Sequence, residues 1–133
     1  MREHVRLQTA ILLRRLAFQV NRTSNSGDAD SIHDLRVAIR RLSRCLRVFS
    51  AFYPARSWKK IRSRLAEMMQ AAGRVRDRDI ALQLLAEAGL GRRSAIMIRL
   101  EAERRKATRD LRLYLRRWRS RNSFHKWRSR LEA

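Results

Sequence analysis

Nearly every segment of this chain repeats its apolar residues at intervals of three and four, and no segment alternates apolar with polar residues long enough to make a strand. That periodicity confines the fold to packed helices. Residues 2–22 place Val5, Leu12, Leu13, Leu16 and Val20 on one face of a first helix. The polar run from Thr23 to Asp28 is a loop, and Ser31 with Asp34 three residues on reads as a capping-box variant opening the next helix. This second helix is expected from near Ser31 to about Phe52, where Tyr53-Pro54 stops it, because the residue before a proline is pushed out of the helical region.

A third helix over residues 57–72 sets Trp58, Ile61, Leu65, Met68 and Met69 on one side, with Gly73 as its terminating cap. Asp77 is then expected to cap a fourth helix that continues to about residue 88, before Gly89 and Gly91 break it. The fifth and longest covers residues 92–120 and is expected to bury Ile96, Leu100, Ala107, Leu111, Tyr114 and Trp118. After Asn122 a short last helix presents Phe124, Trp127 and Leu131. Short loops favour antiparallel neighbours. The expected architecture is therefore all-α, an antiparallel bundle of five to six helices forming one domain over residues 1–133.

The chain carries 33 Lys+Arg against 12 Asp+Glu, a net charge of +21, and an acidic partner would relieve that self-repulsion. Only Lys59, Lys60, Lys106 and Lys126 are lysines. The rest are arginines, whose planar fork grips phosphate oxygens two at a time. The lone Cys45 can form neither an internal disulfide nor a cysteine zinc site, which points to a reducing compartment and a cytoplasmic location. Charges such as Arg2, Glu3, Arg6, Arg14 and Arg15 interrupt every apolar run, so neither a signal peptide nor membrane association is expected.

The arginines are ordered. At about 100° per residue, His33, Arg36, Arg40, Arg44 and Arg47 share roughly one quarter of the second helix, in a row about 21 Å long. Leu35, Ile39, Leu42 and Leu46 point the other way, so the helix can bury one face and hold the row in water. The fifth helix repeats the device in a parallel row of Arg105, Arg109, Arg112, Arg116 and Arg119, and between Arg104 and Arg130 only Asp110 is acidic. Like charges at this spacing cost roughly a few tenths of a kcal/mol per pair, which a bound anion offsets. Lys60 and Arg64 of the third helix complete the candidate set. His33 stands in the first turn of its helix, where free backbone donors already favour an anion, and pH-dependent binding is its expected signature.

Asp77 and Asp79 do not form a catalytic or metal-binding pair on this reading. Spaced by two on a helix they face apart, and no further His or Glu completes a site. Asp77 is expected as a cap, Asp79 as the partner of an arginine in a neighbouring row, and Arg76 as part of the same supporting group. Glu101, Glu103 and Lys106 form a helix-surface charge cluster. Trp58, Trp118 and Trp127 sit at apolar spacings, as core rather than as stacking platforms for bases.

The string Ile32-His33-Asp34-Leu35-Arg36-Val37-Ala38-Ile39-Arg40-Arg41-Leu42, followed by Val75-Arg76-Asp77-Arg78-Asp79-Ile80, resembles the CHAD family of conserved histidine α-helical domains. The match is to a His-x-x-Arg-Val-x-x-Arg-Arg pattern and an Arg-Asp-x-Asp-Val segment, with Ile80 in place of valine. It covers residues 32–85 most closely. The resemblance implies a helical domain that binds inorganic polyphosphate through His33, Arg36, Arg40 and Arg41, without doing chemistry itself. Arg44, Arg47 and the second row rest on helical geometry alone.

Members of that family typically hold two similar helical halves, and this chain has the length and motifs of one. A homodimer is therefore expected, with a twofold axis supplying the missing half. On this reading the chain is no enzyme, needs no cofactor and associates with polyphosphate granules. Nucleic acid is the rival partner, since arginine rows also suit phosphodiester backbones, although no DNA-binding motif supports it. A triphosphate hydrolase is a second rival. It would need a Glu-x-Glu-x-Lys strand, and Glu101-Ala102-Glu103-Arg104-Arg105-Lys106 has the wrong spacing on a predicted helix.

Overall fold

A computed structural model describes residues 1–133. The chain is all-helical: α1 (Arg2–Asn25), α2 (Ala29–Val48), a 3-10 turn (Ser50–Phe52), α3 (Ala55–Glu87), α4 (Ala95–Ser120) and α5 (Ser123–Arg130). As the periodicity requires, each long helix turns an apolar stripe inward. Leu13 and Leu16 of α1, Leu35, Ile39, Leu42 and Leu46 of α2, Ile61, Leu65 and Met68 of α3, and Leu111 and Leu115 of α4 are all fully buried in one cluster. Truncating any of them to alanine is expected to cost about 2–5 kcal/mol. α1 packs on α2, α2 on α3, α3 on α4, and α4 closes against α1, so α2 and α4 are diagonal partners with little or no direct contact.

Several boundaries differ from the sequence expectation. α1 runs on to Asn25, so the loop is only Ser26–Asp28. Gly27 makes that loop possible, with φ at +69°. The cap of α2 is Asp28 rather than Ser31: the Asp28 carboxylate accepts the Ser31 backbone N–H at 2.8 Å, and Ser31 lies buried inside the first turn. Ser31, through its hydroxyl and its backbone N–H, holds the Asp28 carboxyl below the ordinary aspartate value, and of the two only the N–H makes a well-formed bond. α2 ends at Val48, and the 3-10 turn carries the chain to Tyr53-Pro54. There Tyr53 is buried, and its hydroxyl donates to Thr9 at 2.6 Å while the Thr9 hydroxyl is used on the Val5 carbonyl.

The largest correction concerns α3. The expected break at Gly73 and the expected cap at Asp77 are both absent, and one helix of 33 residues passes through them. Ala71, Ala72 and Val75 are buried on either side of Gly73, so packing against the bundle carries the helix across a residue that would end an isolated one. Asp77 is exposed on the helix surface and caps nothing. α4 begins at Ala95 behind Ser94, whose side chain accepts the Met97 N–H, leaving Arg92 and Arg93 in the preceding turn. Ile96 is 47% exposed, and Met97 and Leu115 are the buried residues the spacing had not singled out.

α3 is the longest helix, about 50 Å at 1.5 Å per residue, against about 30 Å for α2. Its last dozen residues and the start of α4 extend beyond the shared core, which ends at Val75 on α3 and resumes only at Ala107 on α4. This arm packs largely on itself. Ile80, Leu84, Leu90, Ile96 and Ile98 along it are exposed. No helix is long and apolar enough to cross a membrane.

Candidate anion-binding surface

With Leu35, Ile39, Leu42 and Leu46 anchoring α2 in the core, His33, Arg40, Arg44 and Arg47 stand exposed on its outer side and Arg36 is half-buried. None of these five side chains has a carboxylate within ion-pair distance. Indeed only six of the 33 basic residues do, namely Arg22, Arg64, Arg78, Arg99, Arg104 and Lys106. The Nε of Arg36 is buried and has no hydrogen-bond acceptor. Near the start of α2, Asp34 is taken up by Arg22 of α1, which keeps its charge from the row.

Arg40, Arg44 and Arg47 border a groove of about 270 Å³ between α2 and α3, and Arg62 of α3 closes its far wall without any acidic residue in the lining. The Arg62 Nε donates to Ser43 of α2 at 3.1 Å, which fixes the guanidinium across the seam. Arg41, the neighbour of Arg40, points to the other side of α2 and faces Arg15, Gln19 and Asp34 in a groove against α1. Consecutive arginines thus straddle the helix. Arg44 also reaches the α1 side, where it lines a shallow groove together with His4 and Arg41. Arg62 and Arg15 were not among the expected residues, because their place beside the row depends on how α3 and α1 pack on α2.

The second row lies elsewhere. α4 is diagonal to α2, and the row members whose side chains make contacts, Arg112 and Arg119, meet the end of α1 rather than α2. These two of the five members serve the fold. The Arg112 Nε donates to the Ser24 carbonyl at 3.0 Å and Arg119 to the Ser24 hydroxyl at 3.3 Å, so both cations sit at the C-terminal end of α1, where unpaired carbonyls attract them. Arg105, Arg109 and Arg116 are exposed, without side-chain partners.

Asp79 does pair with an arginine of α4, but the partner is Arg104, beside the row rather than in it. Arg104 reaches on to the Gly27 carbonyl at 3.3 Å, so one guanidinium ties α3, α4 and the α1–α2 loop together. Arg76 is half-buried on α3, and nowhere do three His, Cys, Asp or Glu side chains converge.

Lys60 and Arg64 belong to neither row. They face a cleft between α3, α4 and α5, where Arg64 pairs with Glu67 at 3.3 Å and the Tyr114 hydroxyl donates to the same carboxylate at 3.2 Å. Burial, with the Glu67 charge adding to it, pushes the Tyr114 hydroxyl up to about 12, so it remains a donor at neutral pH. Trp118 and Trp127 are buried in the core as expected, packed edge to face at 5.3 Å, and Trp58 is partly buried against it.

The fold and this surface define a class: a basic helical bundle that holds an unpaired arginine row and a carboxylate-free groove on its outside. A family model described as the CHAD domain matches residues 9–133, nearly the whole chain and well beyond the two motifs. The chain belongs to the CHAD family. No curated protein and no solved structure matches it.

Proposed function

We infer that this protein binds inorganic polyphosphate along α2, in the groove that Arg40, Arg44 and Arg47 share with Arg62 of α3, and that it does so without catalysing a reaction. The observation that carries this reading is the absence of any carboxylate from a seam holding four guanidiniums. A linear chain with a negative charge at every phosphoryl unit can follow such a seam, with each fork taking oxygens from successive units. His33 and Arg36 extend the track toward the start of α2, where backbone donors add to it. Membership of the CHAD family supports polyphosphate over other polyanions. The exposed arginines of α4 form a second, weaker track. A location at polyphosphate granules follows from this ligand.

The test is competition. Polyphosphate should displace duplex DNA at matched phosphate concentration, and R40E/R44E should abolish polyphosphate binding with the helical circular dichroism unchanged. If DNA wins, the protein is a nucleic-acid binder. Metal-dependent phosphate release by the pure protein would overturn the non-catalytic part of the reading.

The reading includes a pair of chains. In a molecule of net charge +21, two copies can approach closely only where arginine is absent, and between Arg78 and Arg92 there is no Lys or Arg. The same stretch carries the exposed Ile80, Leu84 and Leu90, and the exposed Ile96 and Ile98 stand on opposite sides of α4 in the same arm. A second copy docking arm to arm covers this apolar surface and gives the assembly two sets of basic seams.

A further inference from the structure

α5 turns back at Asn122, whose backbone is left-handed at φ 58°, and lies against α4 and α3. Between the three helices is a cleft of about 300 Å³ lined by six cations: Lys60, Arg64, Arg117, Arg121, Lys126 and Arg130. They come from segments some sixty residues apart in the sequence and converge only in the fold. Glu67 is the one carboxylate in the lining, and Arg64 and Tyr114 already engage it. Arg117, Arg121, Lys126 and Arg130 have no carboxylate partner anywhere. Trp118, which lines the cleft, keeps its indole Nε1–H buried with no acceptor.

A solubilising surface spreads its cations apart, because each pair brought together in a concave site repels with fewer waters to screen it. Here five unpaired cations line a single small space. The volume is at the low end of small-molecule sites, about 300–1,000 Å³, so the occupant is compact. Trp118 and Trp127 are 7% and 5% exposed, and neither ring face is open to stack a base. The lining therefore suits a compact ligand with several negative charges and no base to stack.

We propose that this cleft is a second anion site, specific for a compact condensed phosphate such as inorganic triphosphate, taken up free or as the end of a longer chain. α3 separates it from the α2 groove: Arg62 faces α2, while Lys60 and Arg64 of the same helix face α4 and α5. Only the choice of phosphate chemistry rests on the polyphosphate reading; the site itself stands on the convergence of cations.

Calorimetric titration of the full chain with inorganic triphosphate tests it, using R117Q/K126Q for the cleft, R40Q/R44Q for the groove and R14Q/R92Q as a remote control of equal charge. Triphosphate affinity should fall about tenfold or more in R117Q/K126Q and no further than the control in R40Q/R44Q. Equal losses in all three variants overturn the site, because they would reflect only the general positive field. With Trp58→Phe removing the other tryptophan, triphosphate should also shift the emission of Trp118 and Trp127, and an unmoved spectrum overturns the proposal without relying on a cleft variant. Short and long polyphosphates at matched total phosphate separate the two sources. If the cleft holds chain ends, R117Q/K126Q weakens binding of short chains, rich in ends, more than of long ones. If it holds free triphosphate, neither polymer responds. Long-chain binding that survives R40Q/R44Q would sink the groove reading while leaving the triphosphate result intact.

Discussion

A methyl group added at position 27 would land 2.9 Å from the Thr108 methyl of α4, on a backbone whose φ of +69° already disfavours any side chain. Both penalties act on the loop that joins α1 to α2 and receives Arg104. Gly27→Ala is therefore expected to lower stability by about 1–3 kcal/mol, read as a fall in the urea midpoint with the transition slope unchanged. The adjacent Asp28 makes the same corner sensitive to acid. Its folded-state pKa lies below the ordinary 3.8, so the stabilisation is complete above that value and is lost as pH falls through the lower, folded one. An asparagine side chain in its place would still accept the Ser31 N–H but could not titrate. On going from about pH 6 to pH 3 the urea midpoint should fall more in the native chain than in Asp28→Asn, and parallel curves would show that the capping carboxylate carries no acid sensitivity.

α2 was legible because two periodic signals agree on it: the leucines and isoleucine that bury and the basic row lie on opposite sides at the same spacing, and the structure keeps both, with Arg36 alone of the row half-buried. α3 was not. Gly73 and Asp77 are local stop and start signals, and local signals lose when the flanking residues are buried on both sides, as Ala71, Ala72 and Val75 are. Gly73 has open space where a Cβ would be, so no contact demands glycine there. Gly73→Ala should raise stability by about 0.5–1 kcal/mol, and a destabilised variant would mean that the middle of α3 needs its flexibility. The seams show the same division. The α2 row follows from counting along one helix, whereas Arg62 joins it, and Arg117, Arg121, Lys126 and Arg130 meet Lys60, only through the packing of one helix on another. Arg112 and Arg119 look like row members in sequence, yet both serve the end of α1, which helical spacing cannot reveal.

At the scale of the whole molecule the charge acts with opposite sign on the two proposed associations, and salt separates them. Polyphosphate bound by Arg36, Arg40, Arg44, Arg47 and Arg62 displaces the counterions of about five charges, so a fourfold rise in salt should weaken it by about two orders of magnitude. Pairing of two chains through the arm buries apolar surface against +21 on each partner, and salt screens that repulsion. The dimer should therefore strengthen over the range in which ligand affinity falls. Light scattering at micromolar protein would show the mass rising toward twice 15.8 kDa as salt is added. Leu84, 59% exposed, and Ile98, 54% exposed, carry the test of location. L84E/I98E places carboxylates on the apolar arm and should hold the protein monomeric at every salt concentration, while a single chain still binds polyphosphate through its own α2 groove. A native chain that remains monomeric at high salt rules the pairing out, and a dimer that survives L84E/I98E places its interface away from the arm.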